Sequence, residues 1–161
     1  MRTLRLFSAT GLLALFTGAA TLLAQHGRPI DVEASARGAA RVIVGQVIRV
    51  DPVQQTSAFG DLLIVSHTMV RIDEVLKGAA GTTIGVEIEG GTLNGVTMRA
   101  SDMPALQVGD RAVFFVDARP AGAFVPHQRG HGVLKLDARG NADNGTLSLD
   151  AIRASVQAAA R

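Results

Sequence analysis

The segment from Arg41 to Val50 reads RVIVGQVIRV, and it decides the fold class. Its β-branched residues predict a strand, and the apolar alternation along that strand is broken by one residue around Gly45. The alternating set consists of Val42, Val44 and Val47. A glycine inside a strand marks a bulge or a tight bend, which small barrels use to turn their strands. The segment therefore predicts one bent strand of a small barrel.

Further predicted strands follow, separated by turn residues. Asp51-Pro52 is expected to end the first strand, and Val53–Asp61 to form a loop with Phe59 near its tip. Asn94-Gly95 predicts a tight hairpin, because a type I′ turn needs positive φ at both central residues. The regular spacing of the strands predicts a mainly β domain, either a barrel or a sandwich. The further strands are predicted over Leu62–Leu76, Thr82–Glu89, Val96–Ala100, Arg111–Asp117, Ala123–Val125 and Gly132–Leu136.

Two helices are predicted to flank the strands. Asp31 can cap a short helix over Val32–Ala40. Ser148 can cap a C-terminal amphipathic helix, and a short helical turn is expected over Met103–Val108. The apolar face of the C-terminal helix consists of Leu149, Ile152 and Val156. The predicted organisation is therefore a lead-in and short helix over residues 25–40, a barrel over 41–137, and a polar loop and helix over 138–161.

The first 24 residues have the layout of a secretory signal peptide. Arg2 and Arg5 precede an apolar stretch, and the small residues Ala20 and Ala24 are the candidate cleavage points. An uncleaved membrane anchor is the alternative, because the stretch is just long enough to span a bilayer. We expect cleavage, which leaves no stable membrane span and predicts a periplasmic or secreted protein.

The composition excludes several classes of function. The chain contains no Cys, so it has no disulfide framework, thiolate zinc site or cysteine nucleophile. It has 16 Lys and Arg against 14 Asp and Glu, and loss of Arg2 and Arg5 would leave 14 of each. The chain also has no Trp or Tyr, whereas single-strand binders combine a cationic groove with aromatic stacking platforms. We therefore expect no nucleic-acid partner.

Four segments carry a resemblance to known proteins: Ala40–Val47, Thr68–Gly78, the Gly90-Gly91 pair and Val108–Val116. Across residues 32–137 the chain resembles a group of exported bacterial proteins of unknown function with an OB-like β-barrel. The resemblance implies a mainly β fold with a small, closed or partly open OB-like barrel between the two helices. The strand pattern also looks like that of the netrin-like domains, which include tissue inhibitors of metalloproteinases. Those inhibitors chelate the protease zinc through an N-terminal cysteine, which this chain lacks.

His127 and His131 have the H-x-x-x-H spacing that presents two imidazoles to one metal when it lies on a helix. Gln128 stands where a metallohydrolase of this type has its glutamate base, and the surrounding proline and glycines disfavour a helix. No third ligand is evident, with His67 left open. We therefore expect a polar loop without metal or cofactor, and a metal-assisted hydrolase is kept as an alternative function.

Glu87 and Glu89 lie two residues apart on a predicted strand and so share one face. Such a carboxylate pair can perform acid and base chemistry. The alternation of the strand already explains both positions as a solvated face. We therefore assign no catalytic residue and expect that the protein is not an enzyme.

The expected function is that of an exported, non-enzymatic binding or interaction module, whose partner is a protein or small ligand outside the cytoplasm. By analogy with OB-fold ligand sites, its contact surface is expected at the loop-lined open end of the barrel. Phe59 is expected either to anchor the partner or to fold back over the barrel end. A metal-assisted hydrolase and a secreted protease-inhibitor-like protein are the alternatives. The candidate binding residues are Phe59 in the Val53–Asp61 loop and His127, Arg129 and His131 in the Pro126–His131 loop.

Overall fold

The computed structural model describes residues 30–57, 59–79, 81–120, 122–142 and 145–161. The predicted signal peptide, residues 1–24, lies outside the described residues. The prediction of a mainly β fold with an N-terminal and a C-terminal helix is confirmed. The helices of the described part are α1 (Val32–Gly38), a 3-10 helix (Arg129–Gly132) and α2 (Leu149–Ala159). Its strands are β1 (Arg41–Thr56), β2 (Leu62–Lys77), β3 (Thr83–Glu89), β4 (Gly91–Leu93), β5 (Val96–Met98), β6 (Arg111–Ala118), β7 (Phe124–Pro126), β8 (Val133–Leu136), β9 (Asn141–Ala142) and β10 (Leu147–Ser148).

Five strands form a closed ring of hydrogen-bonded neighbours in the order β1, β2, β3, β7 and β6. β1 pairs antiparallel with β2 along nearly its whole length, and it pairs with β6 through Arg41–Gln46. The ring closes between β3 and β7, which run parallel and meet only at Val86 and Phe124. β8 continues along the edge of β6 beyond β7. The ring therefore has one long, doubly paired strand and one narrow closure.

Gly45 is the point at which β1 accommodates both of its neighbours. The register of β1 against β2 shifts between Val44 and Gly45, which confirms the predicted irregularity at this glycine. A Cβ on Gly45 would lie 2.5 Å from Val70 Cγ1 and 2.6 Å from the carbonyl oxygen of Arg71. β2 thus lies so close to β1 that a side chain at this position would collide with it.

The first half of β1 and most of β6 are buried on both faces, which corrects the predicted break in the alternation of β1. Val42 and Val44 pack beneath the two helices, whereas Val47 points into the ring. The set Val42, Val44 and Val47, predicted to share one face, therefore includes residues from the two opposite faces of β1. The two aromatic residues of β6 divide in the same way, because Phe114 lies inside the ring and Phe115 against the helices, both fully buried.

β1 does not end at Asp51-Pro52, contrary to the prediction, but continues to Thr56 opposite β2. Its pairing with β6 stops at Gln46, so the second half of β1 is an edge in the described sheet. Pro52 lies opposite Ser66 in this edge segment, and edge strands are where a sheet tolerates proline. A long β1–β2 hairpin results, and the predicted loop shrinks to residues 57–61.

Both helices begin at their predicted caps. Asp31 and Ser148 each accept the N–H of the residue three positions on, at 2.9 and 3.2 Å respectively. α1 ends at Gly38, two residues before the predicted end, where Lys77 Nζ donates to three carbonyl oxygens of its last turn. These oxygens belong to Ala36, Arg37 and Ala39.

The remaining predicted strands lie within two residues of the observed bounds. Asn94 and Gly95 have φ values of 51° and 80°, as the predicted hairpin turn requires, and they join β4 to β5. The predicted polar loop before α2 contains the short antiparallel pairing of β9 with β10. For the strands from β2 to β8, the local turn and strand patterns of the sequence therefore predicted most of the observed bounds.

Residues 99–107, which we name the strap, are irregular and do not form the predicted helical turn over Met103–Val108. The carbonyl oxygen of Ala105 accepts from Lys135 Nζ at 3.2 Å. The N–H of Gln107 donates to the Asp110 carboxylate at 2.8 Å. A bond to β8 and a local turn bond to Asp110 thus stand where the predicted helical turn would have had its hydrogen bonds.

Gly45→Ala is expected to lower the free energy of unfolding by roughly 1–3 kcal/mol, because it overpacks a buried strand crossing. Gly85→Ala on β3 is the matched control, since nothing lies within 4 Å of the position of its Cβ. That control should change stability by less than about 1 kcal/mol. Urea unfolding followed by circular dichroism measures both variants. Equal, small effects would contradict the close approach of β1 and β2.

Candidate functional site

β7 and β8 lie end to end along the same edge of β6, and both pair antiparallel with it. Between Pro126 at the end of β7 and Val133 at the start of β8, residues 127–132 leave the sheet opposite the single residue Phe115. The N–H of the first of them still donates to the carbonyl oxygen of Phe115 at 2.8 Å. We name residues 127–132 the excursion. It carries three of the predicted site residues, namely His127, Arg129 and His131.

Two glycines allow the excursion to fold tightly. A Cβ on Gly130 would lie 1.3 Å from the carbonyl oxygen of Asp102, and one on Gly132 would lie 2.4 Å from that of His127. The chain passes through a short 3-10 turn here, so the H-x-x-x-H spacing does not lie on an α-helix. Among the described residues, no group of three or more His, Asp or Glu side chains is placed to hold a metal ion.

His127 fastens the base of the excursion to β6 and α1. Its Nδ1 bonds to Asp117 Oδ2 at 2.8 Å, and the other oxygen of that carboxylate accepts the N–H of Ala40 at 3.2 Å. The imidazole covers Gly38, where a Cβ would lie 2.5 Å from Nε2. Within the described part of the chain, Nε2 is buried without a hydrogen-bond partner. His131, by contrast, is exposed, so the two histidines have different surroundings.

Arg129 holds the excursion against β3 and the strap. Its backbone is left-handed, with φ 58°, and its guanidinium donates to both carboxylate oxygens of Glu89, at 3.0 and 2.8 Å. It also donates to both carboxylate oxygens of Asp102. We name these three side chains the clamp. The Arg129 guanidinium lowers the pKa of Asp102, and the hydrogen bonds to Asp102 and Glu89 raise the pKa of Arg129. The predicted solvated face of β3 therefore also carries an ion pair, which joins Glu89 to Arg129 of the same chain.

A groove of about 600 Å³ lies on the face of β2 and β3 that is turned away from the ring interior. It is bounded by the end of the β1–β2 hairpin, the β6–β7 loop, β7 and the excursion, and we name it the hairpin groove. The structure thus brings Phe59 and Arg129 together at one groove, and it leaves His127 and His131 outside that lining. Other lining residues include Leu63, Val65, Glu87, Arg119, Val125, Asp61, Glu89 and Met103.

Phe59 does not fold back over the end of the ring, because it is 93% exposed. Ser57 organises the backbone around it. The Ser57 hydroxyl accepts the N–H groups of Phe59 and Asp61, each at 3.1 Å, and the Ser57 N–H donates to the carbonyl oxygen of Asp61 at 2.8 Å. The hairpin end therefore holds an aromatic side chain out into solvent beside the groove.

Most of the charged side chains in the hairpin groove lie near a side chain of opposite charge. Glu87 lies 3.9 Å from Arg119 and 3.8 Å from His67, the residue left open as a third metal ligand. His67 also contacts the side chain of Gln55 at 3.2 Å. The groove consequently combines apolar residues of β2 with a rim of paired charges, which suits contact with a partner surface.

No protein-family model matches this sequence, and a search of curated proteins finds no match for it. Neither of the described α-helices is long and apolar enough to cross a membrane. Function is therefore inferred from the groove, the clamp and the fold.

Asp102→Asn is expected to lower the melting temperature at pH 7, because asparagine removes the charge that Arg129 pairs with. Since the pKa of Asp102 is lowered in the folded state, its contribution is complete above the ordinary aspartate value of about 3.9. It is lost as the pH falls through the lower folded-state pKa. The difference in melting temperature between wild type and variant should therefore close in acid.

Asp61→Asn is the control for this experiment, since it removes one aspartate charge at a position outside the clamp, at the end of the β1–β2 hairpin. It should produce no comparable difference at pH 7. Thermal unfolding between pH 7 and about pH 2 measures all three proteins. A difference between wild type and Asp102→Asn that is unchanged across this range would contradict the ion pair.

Proposed function

We propose that the chain is an exported, non-enzymatic binding module that holds a protein partner at the hairpin groove. The observation that carries this proposal is the meeting of Phe59 and Arg129 at one groove, with the Phe59 side chain exposed beside it. Exposed apolar surface within a polar rim is typical of protein contact sites. Phe59 is the proposed anchor, and Arg129 positions the groove through the clamp.

The order of the strands in the ring supports this proposal. The ring has five strands, its first strand pairs with both the second and the fourth, and its third and fifth strands run parallel. This arrangement fits a partly open, five-stranded Greek-key barrel of the OB type. OB-folds bind ligands on the face of strands 2 and 3 and at the loops that join strands 1 to 2 and 4 to 5. The corresponding parts of this chain all line the hairpin groove.

The proposed setting is outside the cytoplasm. Residues 1–24 have the layout of a signal peptide, so the protein is proposed to be periplasmic or secreted. Loss of Arg2 and Arg5 with that segment leaves equal numbers of acidic and basic side chains. A balanced net charge fits a contact made through shape and apolar surface more than through long-range attraction. The metal-assisted hydrolase and the protease-inhibitor-like protein stay predictions of the sequence.

Phe59→Ala is expected to reduce the partner retained by the immobilised protein about tenfold or more, because aromatic anchors dominate the binding energy of protein interfaces. The measurement is quantitative mass spectrometry of proteins retained from the periplasmic or secreted fraction of the source organism. Val96→Ala is the matched control, since Val96 is 63% exposed and lies outside the groove lining. That control should retain as much partner as wild type.

Two results would contradict the hairpin groove as the binding site. One is retention that Phe59→Ala leaves unchanged. The other is an equal loss in Phe59→Ala and Val96→Ala, which would indicate general apolar adhesion and no specific site. Circular dichroism of each variant establishes that the fold is intact before retention is compared.

A further inference from the structure

A second cavity lies on the inward side of β2, opposite the hairpin groove. It measures about 580 Å³ and is bounded by β1, β2, the end of β3, the β4–β5 hairpin and the strap. We name it the inner cavity. Small-molecule sites usually measure about 300–1,000 Å³, so its size is that of a ligand site. We propose that the inner cavity binds a neutral, mainly aliphatic molecule with one hydroxyl or carbonyl group.

The Gly90-Gly91 pair builds one side of this cavity. Both glycines have positive φ, at 105° and 144°, and a Cβ on Gly91 would lie 2.5 Å from Ser66 Oγ. The Ser66 hydroxyl donates to the carbonyl oxygen of Gly90 at 2.7 Å. The backbone therefore passes directly over β2, and the β4–β5 hairpin that follows is held across the inward face of that strand.

The character of the walls selects against a charged ligand. Glu89 and Arg99 are the charged residues of the lining; Glu89 is already held in the clamp, and Arg99 is exposed. An ionised group placed beside the buried Thr68 would lose its hydration there, and Arg99, the lining charge outside the clamp, lies in the exposed part of the lining. The apolar part of the lining includes Val50, Ile88, Met98, Met103 and Leu106.

One polar side chain of the inner wall lacks a partner. Thr68 is 1% exposed, and its hydroxyl has no hydrogen bond within the described part of the chain. Thr97 lines the same cavity, but its hydroxyl already bonds to that of Thr92 at 2.8 Å. A buried polar group without a partner is costly, and a hydroxyl both donates and accepts. A ligand hydroxyl or carbonyl would therefore satisfy the Thr68 oxygen once the neighbouring side chains of the wall move aside to admit it.

N-phenyl-1-naphthylamine, a neutral apolar fluorophore with one N–H group, tests this proposal. The chain contains no Trp or Tyr, so the background emission is low. We expect saturable binding of one fluorophore per chain, displaced by 1-decanol at a concentration at least tenfold below that needed with decanoate. An absence of saturable binding, or equal displacement by decanoate, would overturn the proposal.

Two pairs of variants locate the binding. Thr68→Val should weaken 1-decanol binding roughly fivefold to tenfold, whereas Thr97→Val should leave it unchanged. Leu106→Trp should abolish fluorophore binding by filling the cavity, whereas Val108→Trp, outside the lining, should preserve it. Binding that survives Leu106→Trp, or equal affinity in the two threonine variants, would contradict the proposed site.

Ligand binding in the inner cavity does not depend on partner binding at the hairpin groove. Phe59→Ala alters the hairpin groove and not the inner cavity, so it should leave fluorophore and decanol binding unchanged. Loss of binding in Phe59→Ala would place the fluorophore in the hairpin groove and would overturn the proposal. Conversely, if no protein partner is retained but 1-decanol still binds, the proposed function fails and the inner-cavity proposal stands.

Discussion

The close approach of β1 and β2 at Gly45 is the constraint on which the rest of this molecule depends. A side chain there would collide with β2, and without one a single strand can pair with β2 on one edge and β6 on the other. Because β1 has two partners, its first half is buried on both faces, with the ring interior on one side and the helices on the other. One glycine thus permits both the ring and the helical layer that covers it.

The closure between β3 and β7 is narrow, and the clamp reinforces it. β7 is short, because the chain turns into the excursion after Pro126, through the left-handed backbone of Gln128 and Arg129. Arg129 reaches from the excursion to Glu89 and Asp102, which ties β3 and the strap to the same point. Met103 of the strap lies on the walls of both the hairpin groove and the inner cavity. The strap therefore lies between two spaces of different chemistry, the hairpin groove with the larger share of charged lining residues and the inner cavity with the more apolar lining.

Local signals in the sequence predicted most elements of this fold, because capping, turns and strand alternation are encoded over a few residues. The Asn94-Gly95 turn is an example. The continuation of β1 through Pro52 could not be predicted, since it depends on where β6 stops pairing. Phe59 and Arg129 were recognisable as candidates, but their meeting at one groove depends on ring closure. Asp102 gave no signal, because an ion pair between distant segments leaves no periodic trace in the sequence.

Cross-strand nuclear Overhauser effects test the closed ring most directly, because the hairpin end and the excursion meet at one groove only if the ring closes. The account predicts contacts between Val86 and Phe124 in a parallel register. It also predicts that Gly45 contacts Ala112 of β6 on one edge and Ile72 of β2 on the other. Contacts of β1 with β2 alone, with none between β3 and β7, would indicate an open sheet and would contradict the account.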